Sequence, residues 1–136
     1  MDHFLIWHAV SMAWTEIGLG QDDYPKIAAE LKLSYANWSE IDEVVKGDVL
    51  GSFALDSLCF TLAMISVVGI FFITPMPDWG YEEADLRNRM IKWKKIPRKM
   101  RYLNPLRIMG YPIAWLISMG VRRKLKAAFL QRQIEP

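Results

Sequence analysis

The sequence predicts an all-α protein, and three observations carry the prediction. Apolar residues recur at helical spacing in successive stretches, capping and stopping residues separate those stretches, and residues 57–74 form one apolar run without a charge. A chain of 136 residues has room for one compact domain and not for two ordinary ones. The net charge of +2 conceals an asymmetry: residues 1–51 carry nine acids and three bases, whereas residues 76–136 carry five acids and fourteen bases. The pattern thus predicts an acidic helical module at 1–48, a transmembrane helix at 49–74 and a basic membrane-proximal region at 75–136.

In the first stretch Ile6, Val10, Ala13, Trp14 and Ile17 fall on one helical face, and His8, Ser11 and Thr15 on the other. Gly18 and Gly20 end it. Beyond Asp22 and Asp23, Pro25 suits a first helical turn, and Ile27, Ala28 and Leu31 supply the apolar face of a second helix. Asn37 and Glu40 have capping-box spacing, and Trp38, Ile41, Val44 and Val45 then mark a third helix up to Gly47. Helices this short are marginal in isolation, so each must bury its face against something else.

Asp48 is placed to cap a fourth helix running to Thr74, where Pro75 and Pro77 stop it. A crossing needs about 20 mainly apolar residues, and Val49 to Thr74 reaches that length with Asp56 as its one charge. A transmembrane span is therefore expected, with a buried core helix as the alternative. Asp56 is read as an intramembrane polar residue or as one at the interface, within reach of water. The small residues Ala63, Ser66 and Gly69 suit packing against a neighbouring helix.

Pro77 to Gly80 reads as a turn, with Trp79 and Tyr81 at the level of an interfacial aromatic belt. The next helix carries Glu82, Glu83 and Asp85 at its start and Lys92, Lys94 and Lys95 at its end, as the helix dipole favours. Leu86, Met90 and Trp93 form its stripe, and Pro97 ends it. A second uncharged run, 108–121, covers only about 21 Å as a helix, which suits a re-entrant, interfacial or buried position more than a crossing. Leu125, Ala128 and Phe129 then share a face on the basic tail.

The bases Lys92, Lys94, Lys95, Arg98, Lys99 and Arg101 suit anionic lipid headgroups, each adding about 1 kcal/mol near such a surface. A solvated face or a contact with the acidic half is the plainer alternative, and nucleic acid a third. The excess of bases on one side of the span places the C-terminal half in the cytoplasm and residues 1–48 outside, in a single-pass or partly re-entrant cell-membrane protein. Glu40, Asp42 and Glu43 form an acidic surface for a protein partner.

Catalytic signatures are missing: there is no HExxH, nucleophile elbow, phosphate-binding glycine loop or CxxC pair. An enzyme is not expected, nor a cofactor. The third-position His3 offers an amino-terminal copper or nickel set only incidentally, and no metal is expected. Cys59, the sole cysteine, has no intrachain partner. The start of the chain lacks the basic region of a cleavable signal peptide.

Ile6 to Ser11, Thr15 to Leu19, Asp23-Tyr24, Ile27-Ala28, Leu31, Ser34 and Glu40-Ile41, with the later Asp78 to Leu86, resemble a family of small bacterial proteins known only as a domain of unknown function. The resemblance covers about half the chain. It implies a soluble cytoplasmic protein and assigns no site residues, and the apolar run and basic half depart from it. Together these features predict a small membrane-anchored, non-catalytic binding protein, such as an immunity protein neutralising a bacterial toxin. The alternative is an accessory subunit of a membrane complex.

Overall fold

The computed structural model describes residues 2–15, 18–65 and 82–134, and every element among them is helical. Helix α1, Phe4–Ser11, continues into a 3₁₀ turn at Met12–Trp14. Ile6, Trp7, Val10 and Trp14 are buried as their spacing predicts. Ser11 and Thr15, expected on the polar side, are buried too. Their hydroxyls donate to the carbonyls of His8 and Met12 at 2.8 and 2.7 Å, which satisfies the polar atoms locally and lets both residues enter the core. Gly18 follows with φ of +65°, a left-handed turn that glycine adopts without strain. Ile17 lies outside the described residues.

Helix α2, Asp23–Ser34, buries Tyr24, Ala28 and Leu31. Helix α3, Trp38–Val44, has the expected cap: Asn37 Oδ1 accepts the Glu40 N–H at 3.2 Å, and the Asn37 amide donates to Glu40 Oε1 at 2.9 Å. The helix does not stop at Gly47. A π turn, Val45–Val49, carries it directly into α4, Leu50–Ile65, so Asp48 is inside the helix and caps nothing. The cause is the spacing of the buried side chains. Ile41, Val45, Val49, Phe53 and Ser57 are all buried at steps of four. Such a row drifts about 40° per step around an ordinary α-helix, and the wider π turn takes up part of that drift.

Helix α5, Glu83–Lys95, buries Leu86, Met90 and Trp93 and ends before Pro97 as predicted. Helix α6, Arg98–Leu103, is short and buries nothing. Helix α7, Pro105–Ile134, merges the second apolar run and the basic tail into one element of 30 residues. It lies antiparallel to the α3–α4 rod. Arg107 donates to the Gly51 carbonyl, Gly110 abuts Ala54, Trp38 packs on Phe129, and Gln133 reaches the Ala36 carbonyl. A Cβ on Gly110 would sit 1.9 Å from the Ala54 oxygen, so only glycine permits this approach.

The core takes side chains from α1, α2, α3, α4, α5 and α7, so the three stretches of the sequence share one interior. Among the described residues no helix is long and apolar enough to cross a membrane. The expected span is described as far as Ile65, and its first part is packed inside the protein: Leu50, Phe53, Ala54, Ser57 and Leu58 are buried. Asp56, Cys59 and Leu62 are exposed on the same helix. Residues 66–74, the stop at Pro75 and Pro77, the turn at 77–80 and the aromatic pair Trp79 and Tyr81 lie outside the described residues.

Residues 1–48, expected across a bilayer from the basic half, make direct contacts with it. Asp2 pairs with Arg87 at 3.2 Å, Lys32 bonds the Arg132 carbonyl, and α2 packs along α7. The acidic and basic stretches are therefore packed against each other.

Candidate functional site

The polar and apolar patterns left over after core packing converge at the junction of α4, α5, α6 and α7. Helix α7 buries Gly110, Ala114, Ser118, Leu125 and Phe129 along one line. Its first half is apolar on the remaining sides as well, so Leu106, Ile108, Met109 and Leu116 stay more than half exposed. Met100 and Leu103 on α6 add to this surface at 63% and 70% exposure, and Leu62 on α4 is exposed at 57%. The exposed large apolar side chains thus fall on α6, on the first half of α7 and near the end of α4.

The bases predicted to face lipid flank this surface unequally. Lys92, Lys94, Lys95, Arg98 and Lys99 are exposed. Arg101 instead turns back, donating to the carbonyls of Ile96 at 2.8 Å and Lys94 at 2.7 Å, with its guanidinium 5.3 Å from the Trp93 ring centre. It clamps α6 onto the end of α5. Arg107 approaches the same indole at 4.8 Å and donates to the Gly51 carbonyl at 3.1 Å. Desolvation is the largest influence on Arg107 and lowers its pKa, with the Asp56 carboxylate acting the other way. Two guanidiniums thus share one indole, and the hydrogen-bond acceptors described for them are neutral carbonyls.

Trp93 is fixed from three sides. Its Nε1–H donates to Asp48 at 3.0 Å, and its ring sits where a Gly51 Cβ would be, 2.7 Å away. The π turn places both Asp48 and the adjacent Gly47 here.

Two cavities adjoin across Trp93 and Arg107. One, of about 350 Å³, is polar and is lined by Ser52, Asp85, Asn88, Arg89 and Lys92. The other, of about 330 Å³, is mainly apolar and is lined by Gly47, Gly51, Tyr102, Ile108, Tyr111 and Pro112, with Lys46 and Arg101 also contributing and no carboxylate. Tyr111 donates to the Lys46 carbonyl at 2.9 Å, which holds α7 against the π turn.

Asp56 is exposed and pairs with Arg89 at 2.7 Å, on the face of α4 that meets α5. Of the acids expected to bind a partner, Glu40 is engaged in the α3 cap and Asp42 pairs with Lys46 at 2.5 Å. Asp42 also lines a cleft with Arg122, Arg123 and Lys126, so its surroundings are mixed in charge. Glu43 is exposed. The structure does not gather the three acids into one uncompensated patch.

His3 lies with Nδ1 2.6 Å from the Tyr35 hydroxyl, and Met1 lies outside the described residues. Among the described residues no three His, Cys, Asp or Glu side chains converge as a metal site would require. Cys59 is exposed. No protein-family model, curated protein or solved structure matches this chain.

Ser52, Arg107 and the glycines at 47 and 51 were missed in the sequence. Gly47 and Asp48 looked like a helix boundary, and nothing local links Ser52 or Arg107 to Trp93.

Proposed function

We propose that this is a non-catalytic binding protein that works on a membrane surface, attached by the exposed apolar side of α6 and α7 and by the lysines and arginines beside it. The observation that carries this reading is the one-sided burial of α7. Across 108–121 the helix has no charge, yet it buries only Gly110, Ala114 and Ser118 fully and leaves Ile108, Met109 and Leu116 exposed.

A helix with an apolar outer side and flanking bases suits the headgroup region of a bilayer, where burial of each large side chain contributes about 1.5–3 kcal/mol at most. The exposed bases add about 1 kcal/mol each on an anionic leaflet, which favours the cytoplasmic face. The acidic and basic halves then sit together on that side, and the chain needs no crossing to be retained.

A second reading has its own observation. Leu106, Met109, Ile113, Leu116 and Gly120 repeat at helical spacing on α7, a pattern that suits the flank of a neighbouring membrane helix in a larger complex. The role of a toxin-neutralising protein has less to rest on, because Glu40 and Asp42 are already engaged within the chain.

Flotation with protein-free vesicles separates the two readings. The native protein is expected to float with vesicles containing anionic lipid and much less with neutral ones, and the triple variant Leu106→Ser, Met109→Ser, Leu116→Ser to stay at the bottom. Failure of the native protein to float with either vesicle would remove the lipid-surface reading and leave the subunit reading.

A further inference from the structure

We infer that the paired cavities beside Trp93 form a binding site for one anionic amphiphile, with its oxyanion head in the polar cavity and its apolar portion in the cavity lined by Ile108 and Pro112. This deepens the membrane-surface reading by naming the molecule recognised there, and it holds for a lipid headgroup or a soluble amphiphile of the same chemistry.

Two independent observations support the head position. The Ser52 hydroxyl is buried and has no hydrogen-bond partner in the structure, although it lines the polar cavity. A buried hydroxyl is nearly always satisfied, so an unpartnered one on a residue that lines the cavity leaves a donor that a turn about the Ser52 side chain brings to an acceptor there. Around the same cavity stand Arg89, which pairs with Asp56, and Lys92 and Arg107, against Asp85 in the lining, so the balance there is positive by one charge. Asn88 supplies a further amide. Oxyanions accept several such donors at once, and guanidinium geometry suits them in particular.

The tail position follows from the other cavity. Its cations, Lys46, Arg101 and Arg107, border walls made of aromatic rings, Ile108 and Pro112. Each cavity falls at the lower end of the size range of small-molecule sites. The π turn opens this wall through Gly47, and such turns often occur where a helix serves a function.

The ligand probe is decyl phosphate at concentrations where it is monomeric, titrated calorimetrically and by the Trp93 indole N–H resonance, assigned with Trp93→Phe. Saturable one-to-one binding with movement of that resonance is expected. Inorganic phosphate should bind at least tenfold more weakly, and decyl trimethylammonium should not compete.

Ser52→Ala removes a group with no structural partner and should weaken decyl phosphate at least threefold while the protein stays folded. Gly47→Leu adds a side chain where a Cβ meets nothing within 4 Å, and it should reduce decyl phosphate to the affinity of inorganic phosphate. Unchanged binding in both variants would overturn the assignment, as would equal binding of the cationic analogue. The titration contains no bilayer. A protein that binds decyl phosphate but ignores vesicles contradicts the membrane reading only, and one that floats but fails the titration contradicts the site only.

Discussion

The indole N–H of Trp14 donates to the hydroxyl of Ser57 at 2.8 Å inside the core, and Ser57 passes its own hydrogen to the Phe53 carbonyl at 2.8 Å. Ser57 opens the uncharged run, so the start of that run belongs to the protein interior. Trp14 also stacks on Phe53, ring centres 4.4 Å apart, which locks α1 to α4. Ser57→Ala leaves a buried indole N–H without its acceptor and is expected to cost about 1–3 kcal/mol. Chemical denaturation measures this, and an unchanged midpoint would show that the bond does not hold the two segments together.

Gly110 and Gly47 both lie in helices and should respond to alanine in opposite directions. At Gly110 the new Cβ collides with the Ala54 backbone, so a loss of roughly 2–3 kcal/mol is expected, at the upper end of overpacking costs. At Gly47 it meets open space, and alanine is expected to stabilise by about 0.5–1 kcal/mol through helix propensity. Thermal unfolding of the two variants tests the α4–α7 contact and the continuity of the helix through the π turn together.

Ser52→Ala is expected to leave stability unchanged or raise it by about 1 kcal/mol, since it removes an unpartnered buried hydroxyl. A clear destabilisation would mean that Ser52 is bonded within the folded protein.

His3 makes stability depend on pH. Removal from water, the largest influence, holds its imidazole below its ordinary pKa; Lys94 acts in the same direction and Asp48 opposes it. The unfolded chain then takes up the proton more readily than the folded one. The contribution of His3 is fully present above the unfolded pKa of about 6.5 and is lost as pH falls through that value toward the folded pKa. Asp2, held below its ordinary value by the Phe4 N–H and Arg87, stays ionised in that window. Between pH 7 and 5 the native protein should lose more stability than His3→Gln, and parallel pH profiles would contradict the assignment.

What was legible in the sequence was local. Helix α5 could be read almost whole, because its charges follow the helix dipole, its stripe is regular and Pro97 ends it. The α3 cap was legible for the same reason, since Asn37 and Glu40 are three residues apart. The boundary at Gly47 and Asp48 misled because two residues that favour a break lie between Val45 and Val49, and burial of both valines overrides their preference. Ser11 and Thr15 misled because hydroxyls bonded to their own helix count as apolar in a core. The candidate site was illegible because Gly51, Trp93 and Arg107 meet only through tertiary packing, and an arginine facing an indole looks in sequence like any other surface base.

Attachment to a membrane surface requires α7 to lie against lipid through Leu106 and its neighbours. The direct measurement places a nitroxide at Leu106→Cys, with Cys59→Ser removing the sole native cysteine, and compares it with Ser34→Cys on α2. Relaxation by oxygen and by a water-soluble nickel chelate is then read with vesicles containing anionic lipid. The label at 106 is predicted to become accessible to oxygen and shielded from nickel, while the label at 34 stays open to nickel. Nickel reaching both positions equally, with the protein present on the vesicles, would contradict it.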